Sequence, residues 1–299
     1  MNSSINNINK LNLTPTSFEF DGHVFREDTY GILKRLRYLI KKLNKISLEK
    51  NKKLNVLDIG CGTGINITIP LALAGYAIKG IDIDKKSIEK ARDLSRGIPN
   101  ITFLCMEIQQ LSDNDIYDVI ICSEVLEHIP NPGEFIKSIY SILDDNGILI
   151  ITIPNGYGYF ELESFIEKKF PNLTYRLDGL IQQLFKDYSK YLPDALNKRH
   201  RSERTREYCD LSITTFDTVT KHCNKFAKRT LVRLLTDNNF RIEEIKNRTF
   251  LAGNIINILL REWDVLLRMN SVVADYLPTW LCSGWMVAAK KKIPAQISP

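Results

Sequence analysis

The stretch VLDIGCGTG, Val56 to Gly64, runs a buried-strand pattern straight into glycines at 60, 62 and 64. A strand that ends on closely spaced glycines marks a strand-to-helix turn where backbone can approach a ligand and helix N-terminal N–H groups stay available. The spacing is GxGxG rather than the GxGxxG of dinucleotide sites. Asp58 precedes the loop, where a carboxylate can face a cationic or amino group instead of a pyrophosphate.

Outward from this loop the pattern alternates. Strands are expected at 54–59, 77–82, 101–105, 116–122 and 147–153, with helices at 65–74, 85–96 and 132–143. Such alternation predicts an α/β, doubly wound, mostly parallel sheet covered on both faces. After Pro154 and Asn155 the rhythm breaks into helical patterns and the charge run KRHRSERTRE, then resumes with the helix KRTLVRLLTDNNF. Two apolar segments, FRIEEIKNRTFL and LCSGWMVAAKK, read as the last two strands of the same sheet. The expected divisions are a flexible tail at 1–17, an N-terminal helical cap at 18–53, a core at 54–156, a helical insertion at 157–222, the rest of the core at 223–290 and a tail at 291–299. The cap holds a basic amphipathic helix, Thr29 to Lys45, with Ile32, Leu33, Leu36, Leu39, Ile40 and Leu43 on one face.

Composition bounds the function without choosing it. The 299 residues are 44% hydrophobic and 25% charged with a net charge of +6, too mild to argue for nucleic acid without a clustered patch. Six cysteines show no CxxC spacing, which fits reduced thiols and leaves no structural zinc site readable. The N-terminus is polar and Asn-rich, and no apolar run of about 18 residues occurs. A soluble, cytoplasmic protein is expected.

Two further acids sharpen the loop. Asp82 ends the second strand, where a carboxylate can accept both ribose hydroxyls, and Glu107 follows the third, in reach of an adenine amino group. With Ile83 and Met106 as apolar walls, these residues describe an adenosine.

VLDIGCGTG, GIDID, CMEIQQL and YDVIICSEVLEHI, in this order, resemble the class I S-adenosylmethionine-dependent methyltransferases over about residues 54–155. The resemblance implies a seven-stranded Rossmann-like sheet and S-adenosylmethionine as cofactor. Gly60, Gly62 and the Cys61 backbone would cradle its methionine moiety, with Asp58 and Gly64 also in the cofactor site, Asp82 at its ribose and Glu107 at its adenine edge. Ser123 would help position the amino acid end.

SEVLEHIPNP places Glu124, Glu127 and His128 at i, i+3 and i+4, on one face if the segment is helical, with Val125 and Leu126 toward the sheet. Two readings stay open. In one, His128 is a general base that takes the proton of an attacking hydroxyl. In the other, Glu124, Glu127, His128 and a later histidine hold a divalent cation, magnesium, manganese or zinc, that acidifies that hydroxyl. The ExxEH pattern is similar to ubiquinone-pathway O-methyltransferases and to 3′-terminal RNA 2′-O-methyltransferases, in both of which it is associated with metal. The fourth ligand would be His222 in HCNKF, with wider spacing to Phe226 than the HxF-type segment of the RNA enzymes.

The acceptor is expected against residues 155–222, which begin with Tyr157, Tyr159 and Phe160 and include Lys198, Arg199, His200, Arg201, Arg204 and Arg206. A helix within 254–277 can cover the core, form a homodimer contact or touch a membrane surface. Looser similarity to bacterial polysaccharide and secondary-metabolite methyltransferases adds glycans to the candidate acceptors. The expected activity is methyl transfer to a hydroxyl of a small molecule or glycan. Its rivals are a metal-assisted RNA 2′-O-methyltransferase, a small-molecule N-methyltransferase and a non-catalytic cofactor-binding subunit.

Overall fold

The structure, a computed structural model, describes residues 17–20, 23–112, 114–170, scattered positions between 172 and 183, 222–260 and 263–292. A short antiparallel hairpin, β1 (Ser17–Phe20) and β2 (His23–Arg26), precedes the 19-residue helix α1 (Ile32–Lys50). The core follows as β3 (Asn55–Ile59), α2 (Thr68–Leu73), β4 (Ala77–Asp82), α3 (Lys85–Leu94), β5 (Ile101–Cys105), β6 (Tyr117–Ser123), α4 (Pro132–Ile142) and β7 (Leu143–Pro154). Helices α5 (Tyr159–Lys169) and α6 (Lys228–Asp237), strand β8 (Phe240–Asn247), helices α7 (Asn254–Leu260) and α8 (Asp264–Val273), and strand β9 (Gly284–Lys291) complete the described chain.

Seven strands form one sheet in the order β5-β4-β3-β6-β7-β9-β8. Five are parallel; β9 inserts antiparallel between β7 and β8, so both C-terminal apolar segments are strands of this sheet. The chain winds outward from β3 to β5 and then returns to β6 on the other side of β3. That reversal opens a crevice at the carboxyl ends of β3 and β6, the place where such sheets bind ligands.

Alternation along β6 divides the core. Val119 and Ile121 face α1, packing with Leu36, Leu39 and Leu43, while Ile120 and Cys122 face α4 and α6, packing with Ile136, Ile139 and Leu235. Helix α1 is thus a structural layer of the sheet and runs five residues past the expected end at Lys45. The single helix expected within 254–277 is instead two, α7 and α8. The basic run at 198–206 lies outside the described residues, so the expectation placed on it does not enter the site below. Among the described residues, no helix is long and apolar enough to cross a membrane, and five cysteines are free thiols.

Candidate functional site

The glycine loop is a tight left-handed turn, with φ of 67°, 53° and 74° at Gly60, Gly62 and Gly64. Two of these glycines are required by the protein itself. A Cβ on Gly60 would lie 2.4 Å from Val125, and one on Gly64 2.4 Å from the ring of Phe103.

The loop's amides are also turned inward. Gly60 and Cys61 donate to the Ile81 carbonyl at 2.8 and 3.0 Å, Gly64 donates to the Cys61 carbonyl, and Gly62 donates to Asp82 Oδ2 at 2.7 Å. These N–H groups are not left for an anion, which separates this loop physically from a phosphate cradle. Asp82 also accepts the Asp84 N–H at 2.9 Å, so both carboxylate oxygens are oriented from the backbone at the end of β4. Ile83 is exposed and Met106 half-buried beside it. Glu107 opens a 3₁₀ turn, its N–H tied to the Gln110 side chain at 2.7 Å, and it is exposed at the end of β5.

Asp58 is not an open carboxylate facing the crevice. It is buried and accepts the Thr68 hydroxyl at 2.6 Å. Burial, opposed by that hydrogen bond and reinforced by Asp82, raises its pKa to about 7.

Beyond β6 the expected helical face does not form. Glu124 is left-handed at φ 56°, and only Leu126–His128 make a turn, of 3₁₀ type. Glu124 therefore leaves the proposed ligand set. Its carboxylate contacts Arg248 Nη1 and the Thr152 hydroxyl at 2.9 Å, with Arg35 Nη1 at 3.8 Å. Burial would raise its pKa, but Arg248 and Arg35 outweigh that and hold it at about 2. Ser123 joins the same network, receiving Arg35 Nη1 at 3.1 Å and sharing a 2.7 Å hydrogen bond with Thr152.

Glu127, His128 and His222 do converge, with one potential ligand atom from each within 4.8 Å of the others. The two imidazoles meet edge to face with centroids 5.0 Å apart. His222 is carried there by a strap, residues 222–226, whose Cys223 and Asn224 N–H groups both donate to the Glu127 carbonyl at 3.0 Å. Asn224 Nδ2 donates to the Ile129 carbonyl at 2.6 Å. Glu127 is 2% exposed and its Oε2 has no hydrogen-bond partner among the described residues. Burial first, and the Glu124 charge second, push its pKa well above the usual carboxylate range.

Arg35 and Arg248 went unnoticed in the sequence. Both are buried cations whose Nε has no partner among the described residues, and they lie more than two hundred positions apart with no motif around either. The signal for Arg35 was a charge on the buried stripe of an amphipathic helix; Arg248, just past β8, offered none.

Residues 32–245 match the family model described as a methyltransferase domain. The ubiquinone biosynthesis O-methyltransferase of Rickettsia typhi is 28% identical over 280 residues, covering 91% of this chain and 92% of the relative. That of Rickettsia canadensis is 38% identical over 137 residues, covering 44% of this chain and 57% of the relative. A crystal structure of the magnesium protoporphyrin IX methyltransferase from Synechocystis with bound SAH aligns over 87% of this chain and 85% of that one, with a TM-score of 0.48 and 16% identity. Since the family model spans well over half of the chain, this protein belongs to the methyltransferase domain family and is a class I S-adenosylmethionine-dependent methyltransferase.

Proposed function

We propose that the protein methylates a hydroxyl group of a small molecule, with His128 as the base. The observation that carries this reading is the convergence of Glu127, His128 and His222 one turn beyond β6, at the carboxyl edge of the sheet. The chemistry a hydroxyl demands is proton removal, and an imidazole suits that task near neutral pH. Relatives named as O-methyltransferases over nine-tenths of this chain support the hydroxyl over an amine.

In the donor half, Asp82 accepts the ribose hydroxyls, Ile83 and Met106 flank the base, and Glu107 faces the adenine edge. Arg35 and Ser123 bind the methionine carboxylate, and the inward-turned amides of the loop leave carbonyl oxygen for its ammonium. When bound, the sulfonium donor would supply both the methyl group and its own leaving group; His128 would take the proton of the acceptor hydroxyl. The protein's share is alignment and exclusion of water.

A second reading of the same cluster rests on Glu127 Oε2, which has no hydrogen-bond partner among the described residues. Two imidazoles and a buried carboxylate fit a divalent cation, with zinc or manganese better matched than magnesium by the nitrogen ligands. Glu127, His128 and His222 would hold it; when bound it supplies Lewis-acid acidification of the acceptor hydroxyl.

The test is release of S-adenosylhomocysteine across a panel of phenols, sugars and amines, run with and without chelator. Turnover of hydroxyl acceptors that survives chelator and falls in His128→Ala supports the base. Loss on chelation, restored by manganese or zinc, supports the cation. Turnover of amines alone contradicts both.

A further inference from the structure

Gly156 stands two residues past β7 and is not in the left-handed region, so its backbone conformation is open to any residue. Its need for glycine is steric. A Cβ there would lie 2.7 Å from the Phe226 nitrogen, 2.8 Å from Lys225 Cα and 2.9 Å from the Lys225 carbonyl carbon. All three are backbone atoms, which cannot rotate aside as the end of a side chain can. Gly156 also donates its N–H to the Phe226 carbonyl at 2.9 Å. It is thus a second wall for the strap 222–226, besides the Glu127 and Ile129 carbonyls that grip Cys223 and Asn224.

The wall is firmly anchored. Asn155 is buried, and its polar groups are all engaged. Its N–H donates to the Ser283 carbonyl at 2.8 Å, and its Nδ2 to the Trp280 and Cys282 carbonyls at 3.1 and 3.0 Å. Its carbonyl accepts the Gly158 N–H at 3.0 Å and its Oδ1 the Tyr157 N–H at 3.2 Å. The far end of the strap is anchored too, by Phe226, buried in the core cluster of Leu126, Ile153 and Trp285. Crowding at 225–226 therefore passes along the chain to Cys223 and Asn224, whose N–H groups meet the Glu127 carbonyl, and to His222 beyond them.

We propose that Gly156 is a positioning residue that sets the approach of His222 to His128 by letting the strap lie close against the loop after β7. The imidazole pair, edge to face at 5.0 Å, depends on that approach. The functional consequence rests on the reaction proposed above, in which His128 takes the acceptor proton. Residues 157–221 leave the sheet at this loop and rejoin it at the strap, so the Gly156–Phe226 hydrogen bond also closes the neck of the segment expected to meet the acceptor.

The test is proton NMR of the imidazoles in the full chain. The sequence holds four histidines, so His128→Gln and His222→Gln assign the two signals by difference. In Gly156→Ala the His128 signal should move toward its position in His222→Gln. Turnover should fall about tenfold, with donor affinity in calorimetry at the wild-type value. Gly158→Ala is the control: its Cβ would meet Asn155 of its own loop at 3.2 Å, and the His128 signal should stay in place. Because Gly156 acts through His222, Gly156→Ala should cost nothing further in a His222→Gln background. A His128 signal unmoved by Gly156→Ala overturns the proposal, as does an equal fold-loss in both backgrounds. Should Gly156→Ala fail to fold, hydrogen exchange in the wild type decides. The Gly156, Cys223 and Asn224 amides should then open together with one protection factor; a Gly156 amide that exchanges unprotected while the other two stay protected overturns the proposal. Wild-type turnover in His128→Gln would sink the base instead, while the NMR shift still decides whether Gly156 places the strap.

Discussion

The carbonyl oxygen of Glu127 accepts the backbone N–H of Cys223 at 3.0 Å, joining segments almost a hundred residues apart at the candidate site. The neighbouring Asn224 N–H donates to the same oxygen, so His222 is held against His128 by a backbone clasp. The side chain of Asn224 completes the clasp on the Ile129 carbonyl.

Asn224→Ala removes that last hydrogen bond, worth about 1 kcal/mol. It should lower turnover roughly tenfold by loosening the strap, while donor affinity measured by calorimetry stays at the wild-type value. Loss of donor affinity in this variant would show that the strap serves the cofactor rather than the acceptor.

Arg248 and Glu124 form a largely buried pair, and breaking one side leaves the other uncompensated. Arg248→Ala should destabilise the protein by about 3 kcal/mol in urea unfolding, Arg248→Lys by less. The pair also sets an acid limb. The Glu124 pKa is depressed in the folded state from 4.5 to about 2, so its contribution is fully present above 4.5 and is lost as pH falls toward 2. In Glu124→Gln that portion of the acid slope should disappear; an unchanged slope would assign acid sensitivity elsewhere.

Asp58 works in the opposite sense. With a pKa raised from 3.8 to about 7, it opposes folding progressively as pH rises from 3.8 through 7. A cationic donor bound nearby favours the ionised form, so donor affinity should tighten as pH rises through about 7. Thr68→Val removes the hydrogen bond that favours the carboxylate, and the midpoint should move upward. Asp58→Asn should flatten the profile.

Local patterns carried most of the fold. Seven strands and the order of the core helices were readable because parallel strands buried on both faces are almost continuously apolar, and because Asp84 and Asn131 cap the helices that follow them. The N-terminal hairpin was not readable; its four-residue strands carry too short a pattern. Asp82 at the end of β4 and Glu107 just past β5 stand where the strand patterns placed them. The turn at 124–128 was misread because spacing of i, i+3 and i+4 assumes an α-helix, whereas the left-handed Glu124, held by Arg248, starts the segment in another direction. Long-range ion pairs of this kind leave no trace in a local window.

On the function proposed above, one crevice holds the methyl donor through Asp82 and presents it to an acceptor at His128. Calorimetric titration of S-adenosylmethionine into wild type, Asp82→Asn and His128→Ala tests it most directly. The account predicts binding by wild type, affinity lower by roughly tenfold to a hundredfold in Asp82→Asn, and wild-type affinity in His128→Ala. Equal binding by the first two, or loss of binding in His128→Ala, would contradict it.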